Sequence, residues 1–475
     1  MSVVSSKRLS SLSPATSQSF KFLCPHLNYK KFRDNVTSIA ENIRNRNVKN
    51  VDVHRVAQLY NEFCDITTEI NSLRSKRNEI AKSNKNLSSS SSFSSKLSEE
   101  LTSLQNQGRK LKELIHQKES RLVEIEQSLL QEAIHIPNDT HPDVPIGDES
   151  KARVLKQIGK QLMRESVNFP IEDHMTIAGK HDLIDLESAA NVTGTSWYYL
   201  RNAGALLELA LIQYAMQKAI YKGFTPIITP DAIRTEFSHA CGFNPRSREN
   251  AQNYFLSTST SNSASNFSSP QGLTLSATAE IPLAGIYAGK ILLESQLPIK
   301  MVGFGRAFRA ESGARGADTR GIYRVHQFSK VELFALTRPE DSEIVFDEII
   351  ALQEEIFNDL GLCFRLLDMP TEELGSNAFR KHDIEAWMPG RDSWGEISSA
   401  SNCTDYQSRR LNIRYRPNSI ASTTATSTEF VYTLNGTAVA VPRIIIAIME
   451  NFQTSDGKVI IPKVLRQWTG LETIG

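Results

Sequence analysis

The sequence of 475 residues lacks any apolar run approaching the roughly 20 residues that cross a bilayer as a helix, so no helical membrane span is expected. It has only five cysteines, Cys24, Cys64, Cys241, Cys363 and Cys403, scattered and without C-x-x-C spacing. A disulfide framework or a zinc site built on paired cysteines is therefore excluded as an organising feature. Reduced structural thiols fit a cytosolic or matrix compartment. Net charge is also missing: 54 Lys and Arg against 53 Asp and Glu leave +1. No global field attracts nucleic acid, so any RNA contact must use local basic patches. The last absence is local. Residues 1–33 contain no acid, while Ser is frequent and Lys7, Arg8, Lys21, Lys30, Lys31 and Arg33 supply positive charge. No secretory-type apolar core of about 7–15 residues accompanies them. Acid-poor, basic and Ser-rich is the composition of a mitochondrial transit peptide.

What is present is ordinary in bulk, 40% hydrophobic and 23% charged, and long enough for two domains with one large core. Residues 53–85 and 97–130 predict two long helices. Val56, Leu59, Phe63, Ile66, Ile70, Leu73, Arg77 and Ile80 step by threes and fours in the first. Leu97, Leu101, Leu104, Gly108, Leu111, Ile115, Lys118, Leu122, Ile125 and Leu129 do so in the second. That is a coiled-coil seam, narrower than the stripe of a core-facing helix. The Ser-rich tract Ser88–Ser95 extends neither seam, so the pair reads as an antiparallel hairpin reaching about 45–50 Å. Three prolines and a glycine in Ile136–Gly147 mark a linker. A helix-like stretch is expected next. Trp197–Met216 then reads as a strand followed by an amphipathic helix. A second polar insertion, Ser257–Gly272, has the composition of a disordered loop.

The most informative segment is Phe308–Glu332, FRAESGARGADTRGIYRVHQFSKVE. Arg309 is a permanently charged planar fork suited to phosphate or carboxylate oxygens. Glu311 is placed to accept from an exocyclic amine, and Phe328 offers a flat face to a nucleobase. A second strand-like run carries Arg324, His326, Phe328 and Glu332. A hairpin bearing these groups is suited to holding a nucleotide beside a small acid. His326 reads as a structural hydrogen-bonding residue, and Arg409–Arg410 leaves a surface pair and a functional pair equally open.

This string resembles motif 2 of the class II aminoacyl-tRNA synthetases, in the form found in seryl-tRNA synthetases. Three further segments carry the same resemblance: Thr278-Ala279-Glu280, Gly395–Arg410 and Thr433–Gln453, the last similar to motif 3. Gly223–Pro230 resembles the end of motif 1, which implies a homodimer. Leu360–Gly375 and Lys381–Arg391 look closer to organellar versions. The resemblance implies an α+β fold: an antiparallel sheet flanked by helices, with the N-terminal helical hairpin as a coiled-coil arm.

The resemblance also implies a two-step reaction. The carboxylate of serine attacks the α-phosphorus of ATP, and the seryl group then passes to tRNA(Ser). No protein nucleophile is needed, consistent with the lack of a Ser-His-Asp or Cys-His constellation, and catalysis rests on positioning and charge neutralisation. On this carry-over Arg309 bridges the α-phosphate and the substrate carboxylate. Glu311 accepts from the adenine amine, Phe328 stacks on adenine, Arg324 binds the phosphate tail and Arg443 holds the γ-phosphate. Glu396 and Ser399 hold Mg²⁺ on the phosphates. Arg309, Arg443 and Glu396 are then the catalytic groups. Thr278, Glu280, Glu332, Asn435 and Thr437 line the serine pocket together with Arg309.

The expected organisation is a transit peptide at 1–33, a tRNA-binding arm at 34–135, a linker at 136–150 and a catalytic domain at 151–475. The expected function is an ATP-dependent serine–tRNA ligase of the mitochondrial matrix. The alternative is a catalytically inactive, synthetase-like RNA-binding or regulatory protein. A third possibility is a class II enzyme charging a carrier or another amino acid. An inactive relative should have lost Arg309, Glu311, Glu396 or Arg443, and all four are present.

Overall fold

The structure, a computed structural model, describes residues 23, 25–88, 95–243, 253–256, 272–311, 320–418 and 427–475. Most of the acid-free N-terminus, Cys24, nearly all of both Ser-rich insertions and the turn of the Phe308–Glu332 segment lie outside the described residues. The chain divides into two compact units, which among described residues comprise Leu27–Ile136 and the chain from Pro137 onward with a short segment ending at His26.

The smaller unit is helical: α1 (Tyr29–Asp34), α2 (Val36–Asn45), α3 (Val53–Ser88) and α4 (Ser95–Ala133). Asp52 starts α3 by accepting from the backbone N–H of His54 at 2.9 Å and Arg55 at 3.2 Å, satisfying donors a helix start leaves free. The helices α3 and α4 pack antiparallel, tied by Arg74–Glu119 at 2.5 Å and Lys118–Glu69 at 2.8 Å. Val56, Leu59, Ile70 and Leu73 are buried against Ile115, Ile125 and Leu129, as the threes-and-fours spacing predicts. Leu27, Ile39 and Ile43 close the base of this core. Arg77, expected on the seam, is exposed, and Leu101, Leu104, Gly108 and Leu111 are half-buried, as suits the narrow seam of a two-helix pair.

In the larger unit the segment expected as a linker is bound into the fold. Asn138 Nδ2 donates to the carbonyls of Cys403 at 2.8 Å and Asn377 at 2.9 Å, and Gly147 N–H donates to Thr371 Oγ1 at 3.1 Å. The helix-like stretch expected after it begins instead as a strand, β1 (Arg153–Ile158). Pairing to a sheet edge overrides weak local preference there, and Arg153 anchors it to the buried Asp368 at 2.6 Å.

The remaining strands of the main sheet are β2 (Thr225–Ile228), β3 (Ile299–Phe308), β4 (Gln327–Thr337), β5 (Phe364–Asp368), β6 (Arg380–Met388), β7 (Ser393–Asn402) and β8 (Tyr432–Ala440). Their order is β1-β5-β6-β7-β8-β4-β3-β2. Every pairing is antiparallel except β2 with β3. The helices that position the site are α5 (His174–His181), α6 (Asn202–Tyr221), α7 (Glu280–Gly285), α8 (Ser342–Asp359) and α9 (Val441–Asn451). One sheet face packs on α6, α8 and α9 through a continuous apolar core that includes Leu207, Phe346, Ile349, Leu333, Leu434 and Ile444. On the other face α7 lies close to β3. A Cβ on Gly303 would stand 2.8 Å from Leu283 Cδ1, and one on Gly305 2.5 Å from Thr229 Oγ1. Gly303 thus lets the helix approach the sheet, and Gly305 makes room for Thr229 beyond the end of β2. The α+β fold with a flanked antiparallel sheet matches the expectation.

Candidate active site

The face of the sheet that carries α7 holds the chemistry. Side chains alternate along a strand, so Phe328, Lys330 and Glu332 of β4 share one face. Opposite them on β3 stand Ala307, Gly305 and Gly303, which leave room. Glu332 is the cross-strand neighbour of Thr437 on β8. On β7 a bulge intervenes: Ile384 pairs Ser398 but Glu385 pairs Glu396. The extra residue, Ile397, turns Glu396 onto the same face as Ser399. Without it, residues three apart on a strand would point to opposite faces.

Arg309, Glu311, Tyr323, Arg324, Phe328, Glu396, Ser399, Thr437 and Arg443 line one cleft. The two strands of the expected hairpin are shorter than their motif. β3 ends at Phe308 and β4 begins at Gln327, so Arg309, Glu311, Arg324 and His326 lie in the connection. His326 holds that connection together. Its backbone carbonyl accepts from Arg309 N–H at 2.9 Å and its Nδ1 lies 3.0 Å from the Arg309 carbonyl. It is structural, as its sequence context suggests. Glu311 sits at φ 47°, a strained setting for a non-glycine residue, with its carboxylate 3.6 Å from Arg324.

Arg309 lies over the Phe328 ring at 5.4 Å. Burial, and then the Arg443 guanidinium, pull its pKa below the ordinary arginine value. Arg443 donates to the carbonyl of Glu396 at 2.9 Å, to its carboxylate at 3.1 Å and to the Tyr323 carbonyl at 3.3 Å. Its guanidinium stacks on the Tyr323 ring at 4.6 Å. Burial alone would raise the Glu396 pKa, but Arg443, Lys381 and Arg309 outweigh it and hold it at about 2. The carboxylate is thus anionic and 42% exposed to the cleft. Among the described residues no three His, Cys, Asp or Glu side chains gather to hold a metal ion. An ion on Glu396 and Ser399 would need substrate oxygens to complete its shell, which is how Mg²⁺ is held beside phosphates.

The pocket expected for the amino acid is contiguous with this cleft. Arg309 Nε reaches the Ala277 carbonyl at 3.5 Å, beside Thr278. Thr278, Glu280, Glu332, Asn435 and Thr437 are all buried. Glu280 Oε1 accepts from Gln407 at 2.5 Å, Asn435 at 3.1 Å and Asn377 at 3.2 Å. Burial first, and the Glu332 carboxylate second, push its pKa up to about 7. Lys330 pairs with Glu332 at 2.6 Å and donates to Thr278 Oγ1 at 3.4 Å.

Sequence reasoning missed Lys330, Tyr323, Asn377 and Gln407. Lys330 was open to discovery, since it lies between Phe328 and Glu332 at the strand period of two. Nothing local marks the others. Arg409 and Arg410 are not a surface pair: Arg409 binds Asp405 at 2.6 Å and Arg410 is buried over the Tyr406 ring at 3.4 Å. Neither lines the cleft. Cys64, Cys241, Cys363 and Cys403 form no disulfide.

Comparison with known proteins agrees with this geometry. Residues 266–452 match the tRNA synthetase class II core domain (G, H, P, S and T). Residues 27–140 match the seryl-tRNA synthetase N-terminal domain. A serine–tRNA ligase of Treponema denticola is 40% identical, over 94% of this chain and all of that protein. The mitochondrial serine–tRNA ligase of Saccharomyces cerevisiae is 39% identical, over 97% of this chain and 98% of that one. The crystal structure of seryl-tRNA synthetase from Pyrococcus horikoshii complexed with ATP superposes with a TM-score of 0.84 at 35% identity, covering 94% and 99%. The sheet and the core match make this a class II aminoacyl-tRNA synthetase. With relatives aligned over nearly their full length, the chain belongs to the seryl-tRNA synthetase family, and its activity is serine–tRNA ligation.

Proposed function

We propose that the cleft forms seryl-adenylate. A serine carboxylate oxygen bonds to the α-phosphorus of ATP as the bond to the pyrophosphate oxygen breaks. A ribose hydroxyl of tRNA(Ser) then takes the seryl group and AMP leaves. Arg309 neutralises the two approaching anions, with Phe328 beneath the adenine and Glu311 beside its amine. Arg324 and Arg443 take the phosphate tail. Glu396 and Ser399 would hold Mg²⁺, which would supply further charge neutralisation to the phosphates. Glu332, Glu280, Thr278, Asn435 and Thr437 hold serine. Hydrogen-bonding groups buried for its hydroxyl disfavour alanine, which would leave them unpaired. The observation that carries this reading is the convergence of Arg309, Arg443 and Glu396 on one cleft next to a buried acidic pocket.

The helical unit, residues 34–135, is assigned to tRNA, the segment 136–150 to the connection and residues 151–475 to catalysis. A homodimer is supported by the motif 1 likeness and by an uncovered apolar edge at β2 and α6, where Ile228 is 82% and Tyr221 76% exposed. Mitochondrial work is supported by the acid-free residues 1–33 and by mitochondrial relatives from two yeasts and Bos taurus. ATP–pyrophosphate exchange with a panel of amino acids tests the site. Exchange with serine alone is expected. Exchange with another amino acid, or none with serine, contradicts the reading. Sedimentation tests the dimer, and a reporter fused to residues 1–33 tests the address: a monomer or a diffuse cytosolic signal would remove the respective assignment.

A further inference from the structure

Arg443 opens α9, and Glu450 lies seven residues further on the same helix, hence two turns away on the same side. Glu450 is fully buried and lines no part of the cleft. Its Oε1 accepts the backbone N–H of His174 at 3.0 Å and stands 3.1 Å from His174 Nδ1. Its Oε2 accepts the Gly390 N–H at 2.9 Å. Three separate segments therefore meet on one carboxylate.

Each segment leads to the nucleotide half of the cleft. The helix α9 carries Arg443. Gly390 is in the turn that runs into β7 and Glu396; a Cβ there would lie 2.8 Å from Glu450 Cδ and 2.6 Å from Asp173 Cα. His174 starts α5 and abuts the chain that leads to Tyr323 and Arg324. A Cβ on Gly321 would lie 2.1 Å from His174 Nε2, which has no hydrogen-bond partner, and Arg320 binds Asp173 at 2.9 Å. Tyr323, two residues beyond Gly321, is the platform and carbonyl partner of Arg443. The Thr278–Glu280 side of the pocket is carried by α7 and makes no contact with this carboxylate.

We propose that Glu450 and His174 are a positioning pair that sets the spacing of Arg443, Glu396 and Tyr323, and so governs ATP binding without touching ATP. The proposal rests on the reading of the cleft as an ATP site. A buried carboxylate demands its N–H donors, so losing one releases a segment rather than merely weakening a contact. Glu450→Gln keeps the shape but turns an amide NH₂ toward a backbone N–H. The expected result is about a tenfold weaker affinity for Mg-ATP by calorimetry, the scale of one lost hydrogen bond to a charged group. In exchange assays the KM for ATP should rise in parallel, with the KM for serine within about twofold of wild type. Unchanged ATP affinity in the folded variant overturns the proposal, as does an equal rise in both KM values. His174→Ala keeps the backbone N–H but removes the ring between Glu450 and Gly321, and should weaken ATP binding in the same way with the KM for serine within about twofold of wild type. If Glu450→Gln does not fold, His174→Ala decides, and unchanged ATP affinity in that folded variant counts against the proposal. A wild-type chain that binds ATP but shows no exchange with serine refutes the adenylation reading instead, and the calorimetric contrast still stands.

Discussion

Arg443 concentrates the logic of the cleft in one guanidinium. It grips Glu396 through both carbonyl and carboxylate and rests on Tyr323. Arg443→Ala should cut serine-dependent exchange by roughly 10²-fold or more, the scale of removing one preorganised electrostatic contact, with the fold intact. Near-normal exchange in a folded variant would remove it from the site. Glu280 makes a prediction of the opposite kind. Its carboxyl is raised to about 7, so between the ordinary carboxyl range and pH 7 the native state holds a proton that the unfolded state has lost. Its contribution is full at low pH and falls as pH rises through about 7. Glu280→Gln should therefore flatten the decline in thermal stability between pH 5 and 8, and an unaltered decline in the variant would contradict the assignment. At this scale the charged residues were legible because Arg309, Glu311, Glu396 and Arg443 sit in ordered motifs. Tyr323 and Gln407 were not, because they act through neighbours that only the fold brings to them.

At the scale of elements, the site exists because strands part. β7 and β8 pair only at Ala400–Asn402 with Leu434–Gly436, then diverge toward Ser399 and Thr437. Gln353 of α8 enters from the helical face and donates to both freed carbonyls, Ser399 at 2.9 Å and Thr437 at 3.0 Å. This buried amide thus braces the fork that opens the cleft, and Ser398 Oγ also donates to the Thr437 carbonyl. Gln353→Leu should cost roughly 1–3 kcal/mol in chemical denaturation, since the Ser399 carbonyl loses this donor while the Thr437 carbonyl keeps Ser398 Oγ. It should also reduce exchange, because Ser399 and Thr437 both line the cleft. A variant as stable as wild type would show that the fork holds itself. Such a residue is invisible to pattern reading, where it is one polar side chain inside an amphipathic helix. The bulge at Ile397 is equally silent, since one extra residue in a strand changes no periodicity over so short a span. The long helices were easy by contrast, because their threes-and-fours spacing persists over many turns. β1 was misread because a six-residue strand at a sheet edge has little local signal and is decided by its partner.

At the scale of the molecule, two units divide the labour proposed for them. Every residue of the cleft and pocket lies beyond Ala277, and the α3–α4 pair supplies none. Its basic side chains include Arg74, Lys76, Lys82, Lys85, Arg109, Lys110 and Lys112, in a chain whose net charge is only +1. Such a helical pair neutralises phosphates and gives affinity that falls with salt. Replacing residues 56–128 with a short linker should preserve serine-dependent exchange and nearly abolish tRNA charging. Charging that survives would show that the helices are not the RNA reader, and collapse of exchange in a folded protein would refute the division. Serine charging of tRNA fractionated from mitochondria and from cytosol tests activity, partner and compartment together. The mitochondrial fraction should accept serine from this enzyme. Failure of the mitochondrial fraction to accept serine, with tRNA of proven quality, would contradict that reading.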